Sequence, residues 1–412
     1  LNDLSLHPNG PRSDRTVWTP REQSSLRSKS GSADFTEGQV GSMVDLYAGN
    51  LMPDFQAHTL QNTEHAFATR TIRRGGMVRP LAYGAQFLKD FPIDAGGTEY
   101  DLYDYVSRNR VSGLLVMQDD KVVLEHYDLG MTETSRWLSM SMAKSFATTL
   151  IGAAIQDGLI GGVEDALTRY LPQLIGTAYD GVTIRQLMQM TSGVAWDDTH
   201  TDPNSERRHM LELQVAQKPD AIMRYMATLK RTAEPGTVWN YSTGETHVVG
   251  ALVKATTGKW LSDYLSEKIW SRLGMEADAC WWLEAKEGLE VAGSGICATL
   301  RDYTRFARFI LDNGVIDGDR ILPENWLREA ASPRLIGGKR VDYGYMWWPV
   351  ADAKGSFDDG AFSARGIFGQ YIYVNPRRKI LITVLSSRAK PKGAEAILDN
   401  DFFNATVRAL ES

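Results

Sequence analysis

The sequence predicts an α+β fold, with a sheet built from both ends of the ordered chain, helices against it and a helical lobe inserted between. Three observations predict it. Strand-like hairpin patterns stand at residues 112–130 and again at 370–387. The stretch between them, roughly 140–330, reads mainly as helices and long loops. The chain has 412 residues, enough for one large domain or two lobes sharing a core.

Each element has a local signal. Residues 1–45 are rich in Ser, Arg, Gly, Pro and Asp and read as a polar N-terminal arm. "EYDLYDYVSRNR" (99–110) has Tyr and Val at helical spacing. "SGLLVMQDDKVVLEHYDLG" (112–130) has two strand-like runs around Asp119-Asp120. "SMSMAKSFATTL" (139–150) leads into an apolar run that reads as a buried helix starting at about Ser141. "VVGALVKATTG" (248–258) and "TRFARFILDN" (304–313) are helix-like. "QYIYVNPRRKILITVLSS" (370–387) has strand-like runs on either side of Pro376-Arg377-Arg378, and "AEAILDNDFFNATVRAL" (394–410) is a closing helix. The organisation expected is an arm (1–45) and one catalytic domain (46–412). Its α/β part covers about 46–165 and 290–412, and its helical lobe about 166–289.

Composition limits the function. Hydrophobic residues make up 43% and charged residues 23%, with a net charge of −6. An acidic balance argues against nucleic-acid binding, and no apolar stretch is long enough to span a bilayer. Two cysteines, Cys280 and Cys297, read as buried free thiols. Seven scattered histidines without an HExxH pattern predict no metal, and nothing calls for a cofactor. The chain starts at Leu1, and no signal-peptide pattern remains to decide between bacterial cytoplasm and periplasm. The arm is of a kind that can wrap a neighbouring subunit, as in a homodimer.

The chemistry centres on Ser141 and Lys144. On a helix, positions three apart share a face, so the amine reaches the hydroxyl. A serine attacks only when a neighbour takes its proton, and a lysine can do so only when burial or nearby positive charge destabilises its ammonium. Ser139 falls off that face and reads as structural or capping. S-x-x-K alone recurs by chance, so further stretches matter. "EPGTVWNYSTGETH" (234–247) puts Tyr241 after a Pro-Gly turn, and a phenol beside a lysine can share the role of base. "ARGIFGQYIYV" (364–374) puts Gly369 at a strand entry, where backbone can approach a ligand. The next N–H, that of Gln370, is expected to join that of Ser141 in an oxyanion hole. His247 reads as structural, and Asp197 and Asp198 as loop-positioning residues. No GxSxG surrounds a serine, which disfavours a Ser-His-Asp α/β-hydrolase.

The order of these pieces resembles the serine β-lactamase and penicillin-binding-protein superfamily. "VTIRQLMQMTSGVAWDD" (182–198), "PGTVWNYS" (235–242), "SGICATLRDYTRFARFIL" (294–311) and "YGYMWW" (343–348) are similar to further stretches of it. The chain departs from penicillin-recognising members at Thr243, where Tyr-x-Asn is usual. It departs again at Ile367-Phe368-Gly369, read here against Lys-Thr-Gly, so that motif's cation is missing. It looks closer to class C-like esterases and to 6-aminohexanoate-dimer (nylon-oligomer) hydrolases. The resemblance implies an antiparallel sheet of about five strands with helices on both faces, and a site in the cleft beside the helical lobe. It implies a serine hydrolase that forms an acyl-enzyme on carboxylic esters or small linear amides. Alternatives are a β-lactamase or D-amino-acid peptidase or amidase, or a non-catalytic relative that binds peptidoglycan or protein. Trp196 aligns with a substrate-contacting tyrosine of the nylon-oligomer hydrolases. Trp196, Ile367, Phe368, Gly369, Tyr371 and Arg365 are the expected substrate-binding residues, with Trp239 a weaker candidate.

Overall fold

The computed structural model describes residues 35–36 and 38–411. Most of the expected arm therefore lies outside the described residues. Helices Met43–Ala48 and Pro53–Gln61 open the regular structure.

Among the described residues the main sheet has seven strands. Five long antiparallel neighbours make its body, in the order Phe362–Gly366, Gln370–Asn375, Ile380–Ser386, Val111–Gln118 and Lys121–Tyr127. A short strand at each edge completes it, Trp348–Pro349 antiparallel and Ala82–Tyr83 parallel. The N-terminal hairpin turns where expected. Asp119 and Asp120 have φ of 46° and 66°, the left-handed pair that a two-residue hairpin loop requires.

Helices cover both faces of this sheet, which explains its nearly continuous apolar strands. Leu115, Met117, Ile372, Val374, Leu381 and Leu385 belong to one core. Their strand neighbours Leu114, Val116, Tyr373, Ile380, Ile382 and Val384 belong to a second core on the other face. Successive side chains of a strand point to opposite faces, so each strand feeds both cores. Helix Leu300–Leu311 packs in the first core, and helices Leu102–Arg108 and Asp399–Glu411 pack in the second. The expected 99–110 helix begins only at Leu102, because Asp101 caps it and Thr98–Tyr100 pairs as a short strand.

A second sheet was not expected from the sequence. Its four strands are Thr69–Ile72, Ala279–Trp282, Ile296–Ala298 and Trp137–Leu138. They are two to four residues long, too short to show a period. Trp137–Leu138 runs directly into the Ser139–Met142 segment, so this sheet anchors the candidate nucleophile. Helix Ala143–Gln156, twelve of whose residues are buried, then packs against helix Thr243–Thr257.

Candidate active site

Ser141 does not start the α-helix. It lies in a 3₁₀ turn, Met140–Met142, and the α-helix begins at Ala143. Met140, just before it, has φ of +46°, in the left-handed region that a non-glycine residue seldom occupies. Tertiary contacts hold this turn. Ser139 Oγ accepts from Ile296 N at 3.1 Å and donates to Met140 O at 3.0 Å, so Ser139 is structural but caps no helix.

The spacing of Ser141 and Lys144 has the expected consequence. Lys144 Nζ donates to Ser141 Oγ at 3.0 Å and to Gly293 O at 3.0 Å. Gly293 makes room for it, since a Cβ there would stand 3.4 Å from Nζ and 2.9 Å from Thr243 Cγ2. Lys144 is 1% exposed. Burial brings its pKa down to about 7; Asp198 opposes the shift, and the charges of Arg207 and Lys392 add to it. The amine can therefore shed its proton near neutral pH, where an ordinary lysine cannot.

Tyr241 arrives just before helix Thr243–Thr257, whose cap is Ser242. The Ser141 hydroxyl is a hydrogen-bond partner of its oxygen, and Lys144 Nζ lies 5.2 Å from its ring centroid. Enclosure, with the Asp198 charge in support, pushes the phenol above its ordinary range. Tyr241 therefore stays protonated where Lys144 titrates, which leaves the lysine rather than the phenol to act as base. Trp239, Tyr343 and Trp348 surround its ring, with centroids 5.9–6.4 Å away.

The hairpin at 362–375 meets the serine turn at a different glycine from the one the sequence suggested. A Cβ on Gly366 would stand 2.6 Å from Ser139 O and 2.9 Å from Met140 Cβ. A Cβ on Gly369 would instead meet Arg388 and Ser386. Ile367, Phe368 and Gly369 form the turn, and Gln370 re-enters the ladder as the partner of Gly366. The Gln370 side chain is fully buried, accepts from Trp137 Nε1 at 2.9 Å and donates to Ser386 O at 2.7 Å. The backbone N–H that follows the close-approach glycine is that of Ile367.

A cleft of about 620 Å³ is lined by residues 196–201, 239–241 and 390–392. It contains Trp196, Trp239 and Tyr241 but not the other expected substrate-binding side chains. Phe368 is fully buried in the core. Tyr371 and Arg365 are cross-strand partners facing the closing helix: Tyr371 packs on Phe403, with centroids 5.7 Å apart, and Arg365 donates to Ser363 Oγ at 2.8 Å and to Asn400 Oδ1 at 3.3 Å. The Trp196 indole N–H is committed to Asp198 Oδ1 at 2.8 Å, which leaves its ring to serve as wall. Asp198 also accepts from Thr243 N at 3.0 Å, tying the 196–201 loop to the helix beside Tyr241. Sequence reasoning gave Asp198 only a loop role. Its W-D-D context carried no further signal, because only packing shows a buried carboxylate acting on both Lys144 and Tyr241. Asp197 does serve its loop, accepting from Thr199 N at 2.9 Å. His247 is fully buried with Nε2 3.6 Å from Glu284 Oε2, a structural pairing.

Cys280 and Cys297 are free, buried and directly opposite each other across two strands. With Glu64 they bring three potential ligand atoms within 4.8 Å of one another. Cys297 Sγ is engaged with Thr63 Oγ1 at 3.2 Å and Glu64 Oε1 with Arg136 at 3.2 Å, while Glu64 Oε2 is buried without a hydrogen-bond partner.

Comparison with known proteins agrees with this architecture. The family described as Beta-lactamase matches residues 104–403. The chain is 28% identical over 319 residues to the 6-aminohexanoate-dimer hydrolase of Paenarthrobacter ureafaciens, covering 73% of this chain and 78% of that one. It is 26% identical over 261 residues to a D-aminopeptidase of Brucella anthropi, covering 56% of this chain and 47% of the relative. The solved structure named "Putative 6-aminohexanoate-dimer hydrolase from Bacillus anthracis" superposes with a TM-score of 0.76 at 25% identity, over 90% of this chain and 99% of that one. The chain belongs to the β-lactamase family and is a serine hydrolase of that superfamily.

Proposed function

We propose that the protein hydrolyses carboxylic esters or small linear amides through an acyl-enzyme on Ser141. The observation that carries this reading is an almost fully buried amine 3.0 Å from a serine hydroxyl, with a pKa that burial brings down to about 7. Neutral Lys144 takes the Ser141 proton as Oγ attacks the substrate carbonyl carbon. Tyr241, still a phenol, holds the Ser141 oxygen and relays a proton to the departing alcohol or amine. The N–H groups of Ser141 and Ile367 receive the oxyanion, at about 3 kcal/mol per donor by comparison with other hydrolases. Ile367 replaces Gln370 in this role because Gly366 is the glycine pressed against the serine turn. Water then releases the acyl group, with Lys144 as base again.

The relatives named for 6-aminohexanoate dimers and D-amino peptides support amides as well as esters as the substrate class. The Trp196 N–H is held by Asp198, so no indole donor is free to greet a scissile amide, and this favours esters. The test is turnover of 4-nitrophenyl butyrate, linear 6-aminohexanoate dimer and nitrocefin by wild type and Ser141→Ala. The expected order is ester first, with all turnover lost in the variant. Nitrocefin turning over faster than the ester would overturn the substrate reading. Ester turnover surviving in Ser141→Ala would overturn the mechanism.

A further inference from the structure

The cleft is lined by charged groups whose commitments differ. Asp198 accepts from Trp196 and Thr243, Asp197 from Thr199, and Lys390 donates to Gly49 O at 2.7 Å. Lys392 lines the same cleft, and among the described residues it enters no hydrogen bond or ion pair. Lys392 is exposed at the rim of the cleft, and its charge still reaches the buried amine of Lys144 and the buried ring of His200.

The residues just before Lys392 are tied down. Pro391 O accepts from Phe368 N at 3.2 Å, and Phe368 O accepts from Arg388 N at 3.3 Å. Gly49, in its left-handed helix-capping conformation, sits so close that a Cβ there would meet Lys390 Cδ at 2.9 Å and Ala389 O at 3.2 Å. The opening helix therefore clamps residues 389–391, and these in turn are tied to the turn that contains Ile367. Lys392 follows these tied residues directly and lines the cleft from its exposed rim. The protein carries a net charge of −6, so an uncommitted cation at this position is a local departure from the surface average.

We propose that Lys392 forms a carboxylate-binding subsite, so that the preferred substrates are esters or amides with an anionic group several atoms from the scissile carbonyl. This rests on the hydrolase reading above and specifies its substrate class. The lysine stands on a different element from the Lys-Thr-Gly position that this chain lacks. Ammonium and carboxylate meet here at the edge of solvent, where a pair is worth up to about a five-fold effect and weakens with salt.

The test compares the mono-4-nitrophenyl ester of adipic acid with 4-nitrophenyl hexanoate, its neutral counterpart of equal chain length. Wild type, Lys392→Ala and Lys392→Arg are assayed at low salt and at pH ~9, above the Lys144 titration, and the readout is the ratio of the two kcat/KM values. The expected result is a ratio that falls about five-fold in Lys392→Ala, returns in Lys392→Arg and shrinks with added salt in wild type. A ratio unchanged by Lys392→Ala overturns the subsite. Calorimetry with adipate separates this failure from failure of the hydrolase reading. If neither ester turns over but adipate binds wild type more tightly than Lys392→Ala, the hydrolase reading falls and the subsite stands. If the esters turn over and adipate binds both proteins alike, the subsite falls and the hydrolase reading stands.

Discussion

At the scale of single residues, the account depends on which group is neutral at working pH. Burial lowers Lys144 to about 7 and raises Tyr241, so the lysine titrates first and the acid limb of the rate profile belongs to it. Asp198 opposes the Lys144 shift, so Asp198→Asn should move the acid limb of kcat/KM to lower pH. A limb that stays in place would show that the carboxylate does not act on the amine. Burying the amine also has a stability consequence. Its pKa is near 7 folded and near 10.5 in a model peptide, so the unfolded chain binds the extra proton between those values. The cost is full below pH 7 and fades as pH rises toward 10.5. Lys144→Met should therefore be inactive yet more stable than wild type at pH 6 in urea titration, with a gap that narrows at pH 9. Wild type proving the more stable at pH 6 would mean that its amine is not desolvated.

At the scale of elements, two turns decide the site: the Met140–Met142 turn and the 367–369 turn that follows Gly366. They touch where Gly366 lacks a side chain. Gly366→Val should push the hairpin from the serine turn, costing about 1–3 kcal/mol of stability and most of kcat. Gly369→Ala is strained by its φ of +87° but faces Arg388, and should cost stability while leaving a larger share of kcat. Equal losses of kcat in the two would contradict the placement. Legibility in the sequence divides along the same line. The Asp119-Asp120 hairpin, the helix after Ser141 and the Ser141–Lys144–Tyr241 grouping were readable, because turn chemistry, helical spacing and motif order are local signals. The choice between Gly366 and Gly369 was not, since both stand in "ARGIFGQ" and only packing shows which one meets the serine turn. Arg365 and Tyr371 were misplaced for a related reason. Side chains alternate along a strand, and without its register the face is unknown. The short strands of the second sheet and the carboxylate of Asp198 depend on partners far away in sequence.

At the scale of the whole molecule, the main sheet separates two cores, and the second sheet carries the serine turn on its edge. Cys280 and Cys297 lie opposite each other in that second sheet, 5% and 1% exposed, and burial pushes the Cys297 thiol up. Neither should react with a disulfide reagent in the native protein, whereas both should react in guanidinium. Fast labelling in the native state would mean that this sheet opens, and the support of the serine turn with it.

The central claim is that the Lys144 amine makes Ser141 nucleophilic. The most direct measurement is the rate of Ser141 labelling by a fluorophosphonate as a function of pH, in wild type and in Lys144→Ala. The account predicts a rate that rises through an inflection near pH 7 in wild type and falls by two orders of magnitude or more in the variant (~10²–10⁴). A wild-type rate flat from pH 5 to 9, or a variant that labels as fast as wild type, would contradict it.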